Sequence, residues 1–152
     1  MTARSKARKR ALDILFESEQ RRVDPLETLA DRRDVPDAPL NPYTVELVEG
    51  VTGERYQIDR IIGDASRDWP VDRMPAVDRT VLRIAVWELL HGEVPESVAI
   101  DQAVELCKDL STDESPTFVN GVLSRVLEEH PRGLGIGEAA VGRTEPTEQP
   151  TD

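Results

Sequence analysis

Five cations, Arg4, Lys6, Arg8, Lys9 and Arg10, fall between Thr2 and Leu12 in the opening MTARSKARKRALDILFE, and no acid interrupts them. Guanidinium and ammonium groups at that density suit phosphate, which they hold by a salt-sensitive attraction that carries no base sequence. The rest of the chain repels a polyanion. The formal net charge is −11, and once those five cations are set aside the remaining 14 face 30 acids. Any nucleic-acid contact must therefore be a local patch. The competing reading is a solvated, frayed terminus.

Catalytic chemistry is poorly supplied. His91 and His130 both fall at predicted helix ends, and Cys107, the single cysteine, lies on an apolar helix face, where a thiol packs as a small hydrophobe. One Cys and two distant His give no metal-ligand spacing. The segment GLGIGEAAVG superficially resembles a phosphate-binding loop, but no strand precedes it and no strong helix follows. No catalytic residue, metal or cofactor is expected. Binding features are richer. In LSTDESPTFVNGVL, Phe118 falls at the edge of an apolar stripe in the first turn of a helix, either as core margin or as a platform for an unstacked base. Arg79, Arg83 and Trp87, four apart, read as a snorkelling surface cluster or as a basic and aromatic patch.

The elements that carry these residues are helices. Ala7, Ala11, Ile14 and Leu15 recur at helical spacing, which predicts a helix over about 5–22 with Lys6, Lys9, Arg10, Asp13 and Glu17 roughly opposite. The cations beyond Lys6 thus ride on folded structure, which weakens the frayed-terminus reading. Asp24-Pro25 pairs an N-cap with Pro at the first helical position and opens a short helix to about Arg33. DVPDAPLNP, with three prolines, is a connecting loop. Asn41-Pro42 repeats the cap signal, and apolar residues from Leu47 to Ala65 keep the 3.6 period, predicting one long helix to about Ser66. WPVDRMP breaks the pattern. From Pro75 the run VLRIAVWELL is apolar almost all round, as a central buried helix must be. A further helix begins at Ser97 or Asp101, and Ser115-Pro116 caps a last one ending at His130-Pro131.

No segment alternates as a strand does. The expected fold is all-α, six to seven helices in two small bundles packed together, with an N-terminal subdomain over about 3–66 and a C-terminal one over about 74–131. The Gly-, Pro-, Thr- and Glu-rich stretch 132–152 is expected to be a disordered acidic tail. No run reaches the ~20 apolar residues of a membrane span, and no apolar stretch follows the first cations as a signal peptide requires. A lone thiol without export signals points to the cytoplasm.

Two blocks, AVDRTVLRIAVWELL and VPESVAIDQAVELCKDLSTDESPTFVNGVL, together with the basic opening, make residues 4–128 resemble the NusB family of transcription antitermination factors. The resemblance implies two helical bundles set against each other. It also implies binding of single-stranded, boxA-containing nascent ribosomal RNA together with NusE, a small-subunit ribosomal protein, in an elongation complex that resists termination. Carried onto this chain, the family's RNA-contacting arginine-rich stretch falls on Arg4, Lys6 and Arg8, with Lys9 and Arg10 adjacent. Its RNA-contacting aromatic falls on Phe118, and its acidic position before the last helix falls on Glu114, one methylene longer than the Asp known in the family. Arg83 is retained in VLRIA, as an RNA contact or an interior structural group. Phe16 and Asp78 fall on positions that engage NusE, where relatives carry Tyr and Glu. Pro116 and Thr117 replace a more basic pair. Monomer and homodimer both stay open, since apolar surface around Trp87 suits either a dimer seam or NusE.

Two rivals exist. NusB-like domains also precede ribosomal RNA cytosine methyltransferases, but such an enzyme needs an α/β domain and a catalytic Cys that this sequence does not supply. The other is a protein-only scaffold that docks an acidic partner through its basic first helix.

Overall fold

The computed structural model describes residues 2–131, which form seven α-helices and one 3-10 turn with no strand among them. Helix α1 spans Ala3–Arg21, α2 Pro25–Arg33, α3 Pro42–Gly53, α4 Arg55–Ala65, α5 Ala76–His91, α6 Glu96–Leu110 and α7 Ser115–Glu129. The stretch 132–152, expected to be a disordered tail, lies outside the described residues.

The starts of the early helices follow from their caps. Thr2 accepts from the Ser5 N–H at 3.0 Å, Asp24 from Leu26 at 2.9 Å and Asn41 from Tyr43 at 2.8 Å, with Pro25 and Pro42 next in line where a missing N–H costs nothing. Helix α1 ends where Arg22 turns into the left-handed region at φ 57°.

Three expectations need correction. The long helix predicted from Asn41-Pro42 to Ser66 is two helices. It breaks at Glu54, whose φ of −114° leaves the helical region although its N–H still reaches the Gly50 carbonyl at 3.0 Å. The stripe of α3 ends at Val51 and that of α4 begins at Ile58, and because these are seven residues apart they stay in helical phase across the break. The sixth helix opens at Glu96 behind Pro95, ahead of both expected starts. Ser115 does not cap α7. It is the first helical residue, and its buried hydroxyl turns instead toward Asp78.

Helix α5 is the central element and packs on α1, α3, α4, α6 and α7. Val81, Leu82, Ile84, Ala85 and Val86 are all at most 2% exposed, as an all-round apolar helix requires. Helix α1 lies on α2, α3 and α5, while α4 packs on α5 and α7. One close approach fixes a residue type: a Cβ on Gly50 would stand 2.2 Å from Nε1 of Trp87, so α3 and α5 meet only because that position is glycine. No described helix is long and apolar enough to cross a membrane.

Candidate nucleic-acid interface

The basic start of α1 divides into an inward and an outward set. Arg8 turns inward. It is 3% exposed, and its Nε lies 3.1 and 2.9 Å from the two Glu88 carboxylate oxygens on α5. Tyr43 of α3 donates its hydroxyl to the same carboxylate. Gln102 of α6 accepts from Ser5 at 2.7 Å and from Arg8 at 3.5 Å. The Arg4 guanidinium lies 4.3 Å from the centre of the Tyr43 ring, a cation–π contact. Burial and the Glu88 charge push the Tyr43 phenol well above its ordinary value, so it stays a hydrogen-bond donor. The first turns of α1 are therefore tied to α3, α5 and α6.

Lys6, Lys9 and Arg10 turn the other way. Lys6 is exposed, and Lys9 and Arg10 are partly so. Lys9 spends part of its charge on Asp13, 3.6 Å away and one turn on, an exposed pair of small worth. Lys6 and Arg10 edge a cleft of about 350 Å³ whose far wall is Pro39, Leu40 and Asn41.

Arg79 and Arg83 are not a surface patch, nor is Trp87 an apolar seam. Arg83 is 7% exposed and grips Asp59 through Nε at 2.8 Å and Nη2 at 3.0 Å, with Glu19 at 3.4 Å. Arg79 pairs with Glu19 and donates to the Met74 carbonyl at 2.8 Å. Trp87 is 6% exposed, packed beneath Gly50. These arginines join α1, α4 and α5 at the floor of a cleft that Glu19 and Asp59 also line, so their charge is spent on ion pairs rather than offered to solvent.

Phe118 is half-buried in the first turn of α7, against the core. Its ring centre is 5.2 Å from that of Trp69, at 63° between planes. Glu114 is exposed at the N-cap position of α7, making no side-chain cap. Of the two residues matched to NusE contacts, Phe16 is half-buried on α1, whereas Asp78 is 1% exposed. Its carboxylate accepts from Ser111 at 2.6 Å and Ser115 at 2.9 Å, which pins the α6–α7 connection to α5. Cys107 is fully buried. Burial, helped by the Asp78 charge, pushes its thiol up to about 12, so it is protonated and unreactive at neutral pH. Among the described residues no group of His, Cys, Asp and Glu side chains has the makings of a metal site.

The sequence reading missed Glu88, Tyr43 and Gln102 around Arg8, and Trp69 beside Phe118. Glu88 carried a usable signal: a single acid inside VLRIAVWELL must meet a cation once that helix is buried. Trp69 carried none beyond its type, because the pairing with Phe118 joins residues far apart in the chain.

The geometry defines a class: an all-helical protein of packed bundles that presents a rigidly mounted basic helix face and, elsewhere, a half-buried phenylalanine paired with an exposed tryptophan. Comparison with known proteins narrows it. A match described as the NusB family covers residues 5–128, and the chain belongs to that family. It is 51% identical over 132 residues to the transcription antitermination protein NusB of Arthrobacter sp. (strain FB24), spanning 86% of this chain and 97% of the relative. The fold matches T. maritima NusB with a TM-score of 0.75 at 33% identity, over 86% of this chain and 94% of that one. It also matches a chain of the crystal structure of antitermination factors NusB and NusE in complex with dsRNA, with a TM-score of 0.73 at 25% identity, over 85% and 100%.

Proposed function

We propose that this protein is an RNA-binding antitermination factor, acting in the cytoplasm by binding rather than by catalysis. It engages single-stranded boxA-type segments of nascent ribosomal RNA together with NusE within an elongation complex. The observation that carries the reading is the split of the basic helix. Arg8 is consumed in a buried ion pair that fixes α1, and this leaves Lys6, Lys9 and Arg10 displayed at fixed spacing on the outside. A strip of that kind positions a phosphate backbone without attaching the acidic body to RNA at large. Arg4, exposed but held on the Tyr43 ring on the Arg8 side of the helix, adds a cation at the helix start apart from that strip, and Phe118 supplies an aromatic surface for a base. Arg8 and Arg83 serve RNA binding from within, as the groups that hold α1 in place. Glu114, exposed beside Phe118's turn, borders the base site. Phe16 offers NusE a partly exposed ring, and Asp78 acts on that contact by holding residues 111–115.

The test is fluorescence anisotropy with a short boxA-type RNA and a scrambled control, with and without NusE, at two salt concentrations. Preferential, salt-sensitive binding strengthened by NusE supports the reading. Failure of both RNAs to bind, even with NusE, sinks it and leaves α1 as a docking surface for an acidic protein.

A further inference from the structure

We propose that Trp69 is a second base-stacking residue, which with Phe118 makes a two-ring site for an unstacked base of single-stranded RNA. This rests on the RNA-binding reading above and adds a residue to it. Trp69 lies in the connection between α4 and α5, and Phe118 in the first turn of α7; α4 and α7 pack on each other, which brings the two rings together. Phe118 packs on the core. Trp69 is outside the core and remains 42% exposed. At 63° one ring meets the other by an edge; Phe118 therefore covers at most one of the two indole faces.

The backbone that carries the exposed ring is also held. The Ser66 hydroxyl donates to the Trp69 carbonyl at 2.6 Å and accepts its N–H at 3.4 Å. Pro70 restricts the Trp69 backbone to extended conformations. A large aromatic surface fixed in advance loses little freedom when a base stacks on it, and every base offers a π face. On the same connection Arg67 and Arg73 are offset by Asp68 and Asp72. Attachment at this point therefore depends on stacking, with little net charge to help.

The chain holds two tryptophans, and Trp87 is buried at 6% exposure, so RNA-dependent changes in indole emission report on Trp69. The experiment titrates the full-length protein with the boxA-type RNA, following RNA anisotropy and tryptophan emission together, and measures acrylamide quenching with and without RNA. Saturating RNA is expected to quench part of the emission and shield it from acrylamide, and Trp69→Phe to abolish the quenching. Trp69→Ala is expected to weaken binding about fivefold to fiftyfold, with the salt dependence unchanged. Trp69→Phe, which keeps a ring, retains most of the affinity. RNA that binds by anisotropy while emission and acrylamide access stay constant, and while Trp69→Ala binds like wild type, overturns the role of Trp69 alone. No binding by the wild-type protein overturns the RNA reading, and this inference with it.

Discussion

Arg8 and Glu88 stand 80 residues apart in the chain and meet at 2.9 Å in the interior, with side chains 4% and 1% exposed. A buried ion pair is sustained only with further hydrogen bonds around it, and here Tyr43 donates to Glu88 while Gln102 accepts from Arg8. Removing one partner strands the other charge. Arg8→Ala and Glu88→Ala are each expected to destabilise the fold by about 3–5 kcal/mol in urea unfolding. Arg8→Met combined with Glu88→Leu recovers part of that loss, since no charge is left unpaired although the Tyr43 hydroxyl loses its acceptor. Equal losses in the double variant and the singles would contradict the pairing.

The outward cations and Phe118 should separate by salt. Lys6→Ala and Arg10→Ala each remove about one phosphate contact, lowering the slope of log K against log salt by ~0.7 for a single strand. Phe118→Ala should weaken RNA binding by about 1–3 kcal/mol and leave that slope alone. The readout is affinity at four salt concentrations, and a slope unchanged in Lys6→Ala removes that side chain from the phosphate-binding set.

Much of this architecture was legible in the sequence because periodicity and caps act locally. The all-round apolar run of α5 announced a central helix, and Asn41-Pro42 marked a start to the residue. The break at Glu54 was masked because Val51 and Ile58, seven residues apart, stay in helical phase, although the turn between them lacks an apolar member of the stripe. The site divided the same way. Residue types showed a basic helix start, yet only tertiary packing decides that Arg8 faces Glu88 while Lys6 faces solvent. Arg79 and Arg83 misled for the same reason: their partners, Glu19 and Asp59, come from other helices.

Two glycines near the α3–α4 bend should respond oppositely. Gly50→Ala drives a methyl into the Trp87 indole and is expected to cost about 1–3 kcal/mol, with a shift in Trp87 emission. A Cβ on Gly53 meets nothing within 4 Å, and its φ is not in the left-handed region. Gly53→Ala should therefore be neutral or stabilising by up to ~1 kcal/mol. Thermal unfolding of the two variants checks the contrast, and comparable losses in both would sink it.

Cys107 gives the fold an alkaline limit whose sign can be worked out. Its ordinary value is 9.0, and burial pushes it up to about 12 in the folded protein. Between those values the unfolded chain sheds a proton that the folded chain keeps, so the unfolded state binds fewer protons and stability falls as pH rises. The contribution is fully present below pH 9 and declines toward pH 12. Tyr43, also raised from its ordinary 10.0, adds a loss of the same sign above pH 10. Cys107→Ala removes the first of these. The variant starts less stable because a buried side chain is truncated, but its disadvantage against wild type should shrink steadily from pH 8.5 to 10.5 in urea unfolding. The same burial makes the native thiol inert, so a thiol-reactive dye at pH 8 should label Cys107 only as fast as the protein opens. A constant stability gap across that pH range, or immediate labelling of the native protein, would show that the thiol is not held as the structure places it.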